Sequence, residues 1–367
     1  MREVEPLVMR VLDVPRDATL PEVHNLVQAG LGWTDSHLHM FETDSARYGI
    51  PDPDFAADDP DQRDERSATL RDLPPAFVYH YDFGDGWEHD IEVLGAGGLE
   101  PGCVEGQGAC PPEDCGGPGG YGEFRKAMVD STHPDHEHLR AWAGPWSDTF
   151  DLEATNAFVQ ATVGRVPASV RLVLSLLEGG VRLTPGGRLP RVVVRAVQAE
   201  RPDWDPWEKP ASLEEDLRPL LVLHDLLRTA GLVRLSRGVV TPTKAAADDL
   251  QIIRRLRAAL KPDGFQDVLI GVAAARLAGS GPTTSAELAA AVMPWVSRWA
   301  IGGRPVTTDD IRRELWSASA LMAALDLVEP APGPWSDAWS AGPSATSLLP
   351  RATALAVYFR DHADVEP

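Results

Sequence analysis

Hydrophobic and polar residues alternate most regularly between residues 77 and 93, with the two-residue period of β-strands. Segment 77–83 reads FVYHYDF, with a phenylalanine or tyrosine at every second position, and segment 89–93 reads HDIEV with the same alternation. Gly84 and Gly86 lie between the two segments, and glycine accepts the positive φ angles that tight turns need. The pattern therefore predicts a β-hairpin over 79–93 whose tip carries Asp82, Asp85, Trp87 and Glu88.

Shorter patterns on both sides of the hairpin predict the rest of an α+β domain with a small antiparallel sheet. Residues 7–12 and 37–43 have strand character, and Thr19 to Glu22 form a capping box that opens a helix reaching Gly30. Residues 103–120 hold so many glycines and prolines that we expect an ordered loop packed on the hairpin. Three further helices are predicted over 121–129, 133–142 and 151–163. Residues 51–66 are predicted to form a charged, solvated loop.

After Val166-Pro167 the pattern changes to helices rich in leucine, alanine and arginine. An apolar helix is predicted over 169–177 and a long amphipathic helix over 213–230. The sequence GLVRLSRGVVTPTKAA at 231–246 then predicts two short strands around a tight turn, followed by another helix. Helix, hairpin and helix in this order are typical of a winged helix-turn-helix, so we predict an all-α, winged-helix-like C-terminal half.

A second copy of this pattern follows later in the chain. LMAALDLVEP at 321–330 parallels LLRTAGLVRL at 226–235, and the segment 330–344 would form an enlarged wing. We therefore expect two related helical units after the first domain. The predicted domains cover 1–165, 168–258 and 262–367.

Charge divides the chain at the same place as the hydrophobic pattern. The whole sequence of 367 residues has a formal charge of −21, and residues 1–164 alone carry 10 basic and 32 acidic residues. That acidic part has a balance of −22, whereas residues 165–367 have a balance of +1. An acidic domain repels the phosphates of nucleic acid, so DNA contact would need a local basic face in the C-terminal half.

The sequence also bears on location. No apolar run approaches the roughly 18 residues that a membrane span requires. The start, MREVEPLVMRVLDVP, lacks the basic residues and continuous apolar core of a signal peptide. Three cysteines in a chain of this length do not form a disulfide framework. We therefore expect a cytoplasmic protein that does not enter membranes.

Several long motifs lie in the first 160 residues. They are TLPEVHNLVQAGLGWTDSHLHMF at 19–41, YDFGDGWEH at 81–89, CPPEDCGGPGGY at 110–121, HPDHEH at 133–138 and FDLEATN at 150–156. Over about residues 4–160 the chain resembles the plasmid pRiA4b ORF-3-like family, which is also met as a TnpR-like passenger protein of an insertion element. Members usually have more residues before the first strand, so we expect a shortened start. The family has no settled biochemical activity, and the resemblance therefore implies a fold without implying a reaction.

Zinc is the sharpest cofactor hypothesis for the central stretch. Cys103, Cys110 and Cys115, together with His89 or His80, offer four ligands of the types that zinc prefers. The spacing differs from the paired Cys-x2-Cys of zinc knuckles, and small buried cysteines are common in tight loops. We therefore predict no cofactor and keep zinc as the alternative.

Carboxylates form a second candidate site on the same stretch. Asp82, Asp85, Glu88 and Asp90 lie on the hairpin, with Glu113 and Asp114 in the following segment, and such acids can bind Mg²⁺ or Ca²⁺ or take part in acid–base chemistry. Aspartates beside glycines also form ordinary turns. We expect a binding surface formed by Asp82, Asp85, Trp87, Glu88, His89, Glu113, Asp114 and Tyr121.

Nearby histidines and the arginines of the C-terminal half give weaker signals. The histidines of HPDHEH are predicted to begin a helix with exposed imidazoles. Arginines on the predicted wing and at the end of the next helix could contact DNA, although that half is neutral overall. These arginines are Arg234, Arg237, Arg254, Arg255 and Arg257.

The sequence thus favours a non-enzymatic, cytoplasmic binding or adaptor protein with a protein partner, which would use the surface between Asp82 and Tyr121. A DNA-associated accessory protein of a mobile element, acting through the winged-helix-like half, is one alternative. A metal-dependent enzyme that uses the same N-terminal surface is the other.

Overall fold

The chain was studied as a computed structural model that describes residues 1–50, 62–98, 100–144, 146–205, 209–260, 264–329 and 337–361. It contains two compact units, Met1–Val163 and Gly164–Pro367, hereafter unit 1 and unit 2. Within these described ranges, the helices are too short or too polar to cross a membrane.

Unit 1 is an α+β unit, as predicted. Its strands and helices follow one another as β1 Met9–Asp13, α1 Leu20–Leu31, β2 His39–Glu42, β3 Arg47–Gly49, β4 Gln62–Asp64, β5 Ala76–Tyr81, β6 Trp87–Glu92, β7 Gly102–Gln107, α2 Gly117–Val129, α3 His136–Ala143 and α4 Leu152–Val163. The strands β3 and β4 were not predicted, because three-residue strands carry too little alternation to be recognised.

A sheet of order β4-β3-β2-β5-β6 forms the centre of unit 1. Its neighbouring strands are antiparallel, except that β4 runs parallel to β3. Strands β1 and β7 form a separate antiparallel pair, with Met9 opposite Gln107. The rings of Phe41, Tyr79 and Tyr81 are buried on one face of the larger sheet and form the centre of its hydrophobic core.

Helix α1 begins and ends where the local sequence predicts. The backbone N–H of Thr19 donates to Glu22 Oε2 at 2.8 Å, which is half of the predicted capping box. Gly32 follows the helix with φ of 81°, the left-handed conformation that glycine adopts at low cost.

The predicted hairpin is present as β5 and β6, but one detail of its turn was wrong. Gly86 has the expected positive φ of 71°, whereas Gly84 does not; Asp82 takes the second left-handed position, with φ of 52°. Aspartate tolerates this conformation because its short side chain can accept hydrogen bonds from nearby backbone.

The prediction of a loop over 103–120 was wrong at both ends. Residues Gly102–Gln107 form β7 because their backbone pairs with β1, a partner almost a hundred residues away, which a local pattern does not reveal. Helix α2 begins at Gly117 rather than 121, with Pro118 in its first turn, where the missing N–H is not needed. Helix α3 begins at His136 rather than 133. Of the loop predicted over 51–66, residues 51–61 lie outside the described residues.

Unit 2 is helix-rich, with short strands. Its elements are α5 Ala168–Leu176, β8 Val181–Arg182, α6 Arg191–Glu200, α7 Arg218–Thr229, β9 Val233–Ser236, β10 Val239–Pro242, α8 Asp249–Ala259, α9 Phe265–Ser280, β11 Thr283–Thr284, α10 Ser285–Val296, β12 Ala300–Ile301, β13 Arg304–Pro305, α11 Thr308–Ala324, β14 Val328–Glu329, β15 Ala338–Ala341 and α12 Pro350–Asp361. The helix predicted over 213–230 was too long: α7 starts at Arg218, because Leu217 has a non-helical backbone with φ of −114° and ψ of 83°, and Pro219 lies in the first turn.

The order of elements in unit 2 repeats. The series α5-β8-α6-α7-β9-β10-α8 recurs as α9-β11-α10-α11-β14-β15-α12, with the hairpin β12-β13 inserted. The two three-stranded sheets have matching orders, β8-β10-β9 and β11-β15-β14. The corresponding residues Gly231 and Asp326 are both left-handed, with φ of 64° and 54°. Of the enlarged wing predicted over 330–344, residues 330–336 lie outside the described part of the chain.

Candidate functional site

The turn of the β5–β6 hairpin holds the first predicted site residue, Asp82. Its Oδ1 accepts hydrogen bonds from the backbone N–H groups of Gly84, at 3.0 Å, and Asp85, at 3.3 Å. The Asp82 backbone N–H donates to Leu38 O, at the start of β2, at 2.9 Å. Asp82 therefore forms the turn with one carboxylate oxygen, while Oδ2 remains directed towards a neighbouring segment.

The segment between β7 and α2 packs onto this turn, as the sequence predicts. The N–H of Gly116 donates to Asp85 Oδ2 at 3.0 Å. A Cβ atom at Gly117 would lie 2.3 Å from the Asp85 carbonyl oxygen, so only glycine permits this contact. Buried Trp33 holds the other side of the segment by donating from Nε1 to Pro111 O at 2.9 Å.

Glu113 ties this segment to the strands. It accepts hydrogen bonds from the hydroxyl groups of Tyr81 and Thr34, and from the Thr34 backbone N–H at 2.8 Å. Tyr81 Oη in turn accepts from the N–H of Ser36 at 3.0 Å. Burial, reinforced by the negative charge of Glu113, raises the pKa of Tyr81, so its hydroxyl remains a donor.

His37 completes a cluster at the edge of this network. Its Nε2 lies 3.0 Å from Asp114 Oδ1 and 3.6 Å from Asp82 Oδ2, and one ligand-type atom of each residue lies within 4.8 Å of the others. Neither contact has hydrogen-bond geometry, and Nε2 is a buried atom without a hydrogen bond. Asp82 is 9% exposed at its side chain, His37 27% and Asp114 67%, so the cluster opens to solvent through Asp114.

Two further histidines lie inside the core, stacked at 3.5 Å between ring centroids. His24 Nε2 lies 2.9 Å from Asp35 Oδ1, and Nδ1 lies 2.7 Å from Tyr79 Oη. His39 Nε2 lies 2.7 Å from Glu65 Oε2. Burial lowers the pKa of His24, so the neutral ring donates to Asp35 and accepts the Tyr79 proton. This network fastens α1 to the sheet.

His89 is buried beside Tyr79 and Trp33 rather than on a surface. Its Nδ1–H donates to Tyr79 O at 3.3 Å, and Nε2 has no hydrogen-bond partner among the described residues. Burial lowers the pKa of His89 to about 3. The imidazole is therefore neutral in the folded protein at any ordinary pH.

The structure does not bring the three cysteines together with His89. Cys103 lies on β7 and packs against α1 and α4, next to Leu26 and Val159, whereas Cys110 and Cys115 belong to the core around the hairpin. No cysteine belongs to a described cluster of three ligand-type residues. Burial raises the pKa of Cys110 and raises that of Cys115 to about 12, which keeps both as thiols.

The other members of the predicted surface separate in the fold. Trp87, His89 and Tyr121 are buried, and Tyr121 donates from its hydroxyl to Ala109 O at 2.9 Å. Glu88, the second residue of β6, pairs with Arg2 at 2.5 Å. Asp82, Asp85, Glu113 and Asp114 lie close together through the turn and the segment that packs on it.

Sequence reasoning missed His37. It lies just before β2, and the register of β2 on β5, with His39 opposite Tyr81, brings it beside Asp82. The register depends on contacts that are distant in the chain. The sequence signal for this contact is that His37 begins the strand predicted at 37–43 and Asp82 lies at the predicted tip of the hairpin.

A cleft of about 550 Å³ begins at Asp114 and runs between the Cys115 segment, α2 and α3. The rings of Phe124 and Trp142 form one wall, in edge contact at 6.0 Å. The polar lining consists of Asp114, Glu123, His133, Asp135 and His138. Of the histidines predicted to be exposed, His136 is instead buried, because its Nδ1–H donates to Ala127 O at 2.8 Å.

The five arginines predicted as candidates for DNA contact differ in their exposure and in their hydrogen bonds. Arg234 and Arg237 are exposed on the β9–β10 hairpin, and Arg254 is half-buried on α8. Arg255 donates to the carbonyl oxygens of Ala230 and Gly231, each at 3.4 Å. Arg257 donates to Leu348 O at 2.7 Å. Helix α7, which ends at the carbonyls that Arg255 contacts, packs against α11.

Comparison with known proteins agrees with the division of the chain. Residues 1–157 match the family model described as "Plasmid pRiA4b ORF-3-like protein", and residues 165–254 match the "Y4jL N-terminal domain". The "Uncharacterized protein y4hQ" of Sinorhizobium fredii is 42% identical over 159 residues, which are 42% of this chain and 81% of that protein. A solved structure, titled a protein of unknown function, MM3350 from Methanosarcina mazei Go1, is 28% identical, covers 41% of this chain and 90% of its own, and has a TM-score of 0.35. The chain therefore belongs to the plasmid pRiA4b ORF-3-like family.

Proposed function

We propose that the protein is a non-enzymatic binding protein, and that the cleft of unit 1 holds a basic side chain of a protein partner. The observation that carries this proposal is the lining of the cleft. Asp114, Glu123 and Asp135 supply three carboxylates, and the described lining contains no lysine or arginine. Such a cleft favours a cation over an anion or a neutral ligand.

The aromatic wall supports the same class of ligand. Trp142 is 39% exposed, so one face or edge of its ring is available to a ligand in the cleft. A guanidinium or ammonium group gains about 0.5–1 kcal/mol from an exposed aromatic face. Carboxylates on one side and an aromatic ring on the other match the two ways in which arginine is held at protein interfaces.

The charge of the surrounding unit acts in the same direction. Residues 1–164 carry a balance of −22, which attracts a basic partner from a distance and raises its association rate. The same charge opposes the phosphates of a nucleic acid. A basic peptide segment is therefore a better candidate than DNA for this unit.

We interpret unit 2 as a pair of winged-helix-like repeats that contact a protein partner. In a winged helix that reads DNA, the third helix enters the major groove. Here the third helices of the two repeats, α7 and α11, pack against each other, which leaves less of each free for a groove. The side chains of Arg255 and Arg257 donate hydrogen bonds to backbone carbonyl oxygens, which occupies part of their capacity to contact phosphates. These observations favour an adaptor role for unit 2.

The proposal is tested by binding of a fluorescein-labelled arginine-rich peptide to the full chain, followed by fluorescence anisotropy. Asp135→Asn and Trp142→Ala should each weaken binding about twofold to fivefold, because one exposed ion pair or cation–π contact is worth up to about 1 kcal/mol. Asp44→Asn, an exposed acid of unit 1 outside the cleft lining, is the matched control. A peptide with glutamine in place of arginine should not bind.

Equal affinity for the two peptides would show that the basic side chains are not recognised and would refute the proposal. Equal losses in Asp44→Asn and Asp135→Asn would show attraction by the overall charge of the unit and would refute the cleft. Duplex DNA should be titrated in parallel at two salt concentrations. Salt-sensitive DNA binding that is lost in the double variant Arg234→Ala, Arg237→Ala would instead favour the DNA-associated alternative.

A further inference from the structure

The side chains of His37, Asp82 and Asp114 form a cluster of atoms of the types that bind metal ions. Three different parts of the chain converge there: the residue before β2, the β5–β6 turn and the segment before α2. We propose that these three side chains bind a divalent transition-metal ion, with Zn²⁺ as the best fit. The ligand atoms are His37 Nε2, Asp82 Oδ2 and Asp114 Oδ1.

The distances suit a single ion. Zinc bonds to imidazole nitrogen and carboxylate oxygen are about 2.1 Å long, so neighbouring ligands in a tetrahedral site lie about 3.4 Å apart. His37 Nε2 lies 3.0 Å from the Asp114 oxygen and 3.6 Å from the Asp82 oxygen, and the three atoms lie within 4.8 Å of one another. The Asp82 and Asp114 oxygens lie no more than 4.8 Å apart, so the exposed Asp114 carboxylate would move towards Asp82 by up to about 1.4 Å to reach the tetrahedral spacing.

The state of His37 Nε2 points to a ligand independently of the carboxylates. This nitrogen is buried but has no hydrogen bond, although a carboxylate oxygen lies at 3.0 Å. A buried polar atom left without a partner is costly. Coordination to a cation placed between Nε2 and the two oxygens would satisfy all three atoms at once.

The surrounding network holds the ligands in place. Asp82 Oδ1 is occupied by two backbone N–H groups, which fixes the carboxylate and leaves Oδ2 for the ion. The backbone N–H of His37 donates to Tyr81 Oη at 3.3 Å, and Tyr81 donates to Glu113, the residue before Asp114. Outer hydrogen bonds of this kind are typical of metal sites, whose affinity depends on them.

Three protein ligands would leave one coordination position open. Asp114 is the exposed ligand and also lines the cleft, so the ion would lie at the end of the cleft. The open position is therefore available to water or to a donor atom of a ligand bound there. This inference does not depend on the proposed basic partner, because His37 and Asp82 lie outside the cleft lining.

The other candidate sets are less suitable. In the buried set of His24, Asp35 and His39, both His24 nitrogens are hydrogen-bonded and the imidazole rings are stacked, so an ion would have to break existing bonds. Cys103 lies in a different core cluster from Cys110 and Cys115, and burial raises the pKa of all three thiols, which keeps them protonated.

The test is a calorimetric titration of Zn²⁺ into the full chain after dialysis against a chelator, with Mn²⁺ as a second probe. We expect one equivalent of Zn²⁺ to bind. His37→Gln and Asp114→Asn should each weaken binding about tenfold or more, since even outer-shell changes cost that much. Asp114 is exposed and has φ of 60°, which asparagine tolerates, so Asp114→Asn should fold normally.

His80→Gln is the matched control, because His80 also lies at the hairpin and contacts a carboxylate, Glu42 at 2.8 Å, but is outside the cluster. It should bind Zn²⁺ like the unchanged protein. Zn²⁺ should raise the melting temperature of the unchanged chain and of His80→Gln equally, and should raise that of Asp114→Asn less at the same Zn²⁺ concentration. Absence of stoichiometric binding, or binding that survives in His37→Gln and Asp114→Asn but is lost in Cys110→Ser or Cys115→Ser, would overturn the proposal. Binding of the arginine-rich peptide measured in the presence of a chelator tests the cleft without any contribution from a metal ion.

Discussion

Mild acid should destabilise unit 1 through His89, because its buried imidazole stays neutral in the folded protein. His89 is 5% exposed, its Nε2 has no hydrogen-bond partner among the described residues, and burial lowers its pKa from 6.5 to about 3. In the unfolded chain the same imidazole returns to about 6.5. Between these two values the unfolded state binds a proton that the folded state does not.

The sign and magnitude follow from proton linkage. The stabilisation is fully present above about pH 6.5 and is lost as pH falls towards 3. From pH 7 to pH 5, the free energy of unfolding should fall by about 2 kcal/mol, at about 1.4 kcal/mol per pH unit below 6.5. The folded pKa lies well below 5, so its exact value hardly affects this figure. His24, whose pKa burial also lowers, acts in the same direction.

The assay is urea unfolding of the full chain at pH 5, 6 and 7, followed by near-ultraviolet circular dichroism. His89→Asn keeps a donor for Tyr79 O but does not titrate, so it should show a pH dependence smaller by about 2 kcal/mol than that of the unchanged protein. Its stability at pH 7 should be lower because of lost packing. His138→Asn, at an exposed position, is the control.

Two results would refute the reasoning. If His89→Asn and the unchanged protein lose the same free energy between pH 7 and pH 5, His89 is not the group that takes up the proton. If the unchanged protein is equally stable at both values, the imidazole is either charged in the folded state or reached by solvent.

Two further predictions concern the hairpin and the division of the chain. Gly86→Val should lower the free energy of unfolding by about 1–3 kcal/mol, because φ of 71° is strained for a β-branched residue; an unchanged urea midpoint would contradict the assigned turn. Residues 1–163 expressed alone should fold, with dispersed amide resonances in an NMR spectrum, because this unit has its own core. An unfolded fragment beside a folded full chain would show that the unit depends on unit 2.

Local patterns in the sequence were sufficient for several elements of the fold. The hairpin was predicted because its alternation matches the two faces of one sheet, with Tyr79 and Tyr81 buried and His80 between them only half-buried. Helix α1 was predicted because its capping box and Gly32 act within a few residues of the helix ends. The change of pattern at Val166-Pro167 lies next to the border between the two compact units. In each case the interactions that decide the element are close in the chain.

Elements that depend on a distant partner were missed. Strand β7 looked like a glycine-rich loop, because its pairing with β1 joins Gln107 to Met9. The left-handed positions of the turn were assigned to Gly84 and Gly86, but Asp82 takes the place of Gly84. Its side chain accepts hydrogen bonds from the backbone N–H groups of Gly84 and Asp85. The cysteines looked like one set, and β7 carried Cys103 into a different part of the core.

At the candidate site, the residue types could be read from the chain alone: carboxylates and histidines near a glycine-rich turn in a strongly acidic half. Which of these side chains meet depends on tertiary contacts. The register of β2 on β5 placed His37 beside Asp82, and the contact between Gly116 and Asp85 brought Asp114 to the same point. The same packing buried Trp87, His89 and Tyr121. Residue types are a local property, whereas the distances between side chains depend on contacts between parts of the chain that are far apart in sequence.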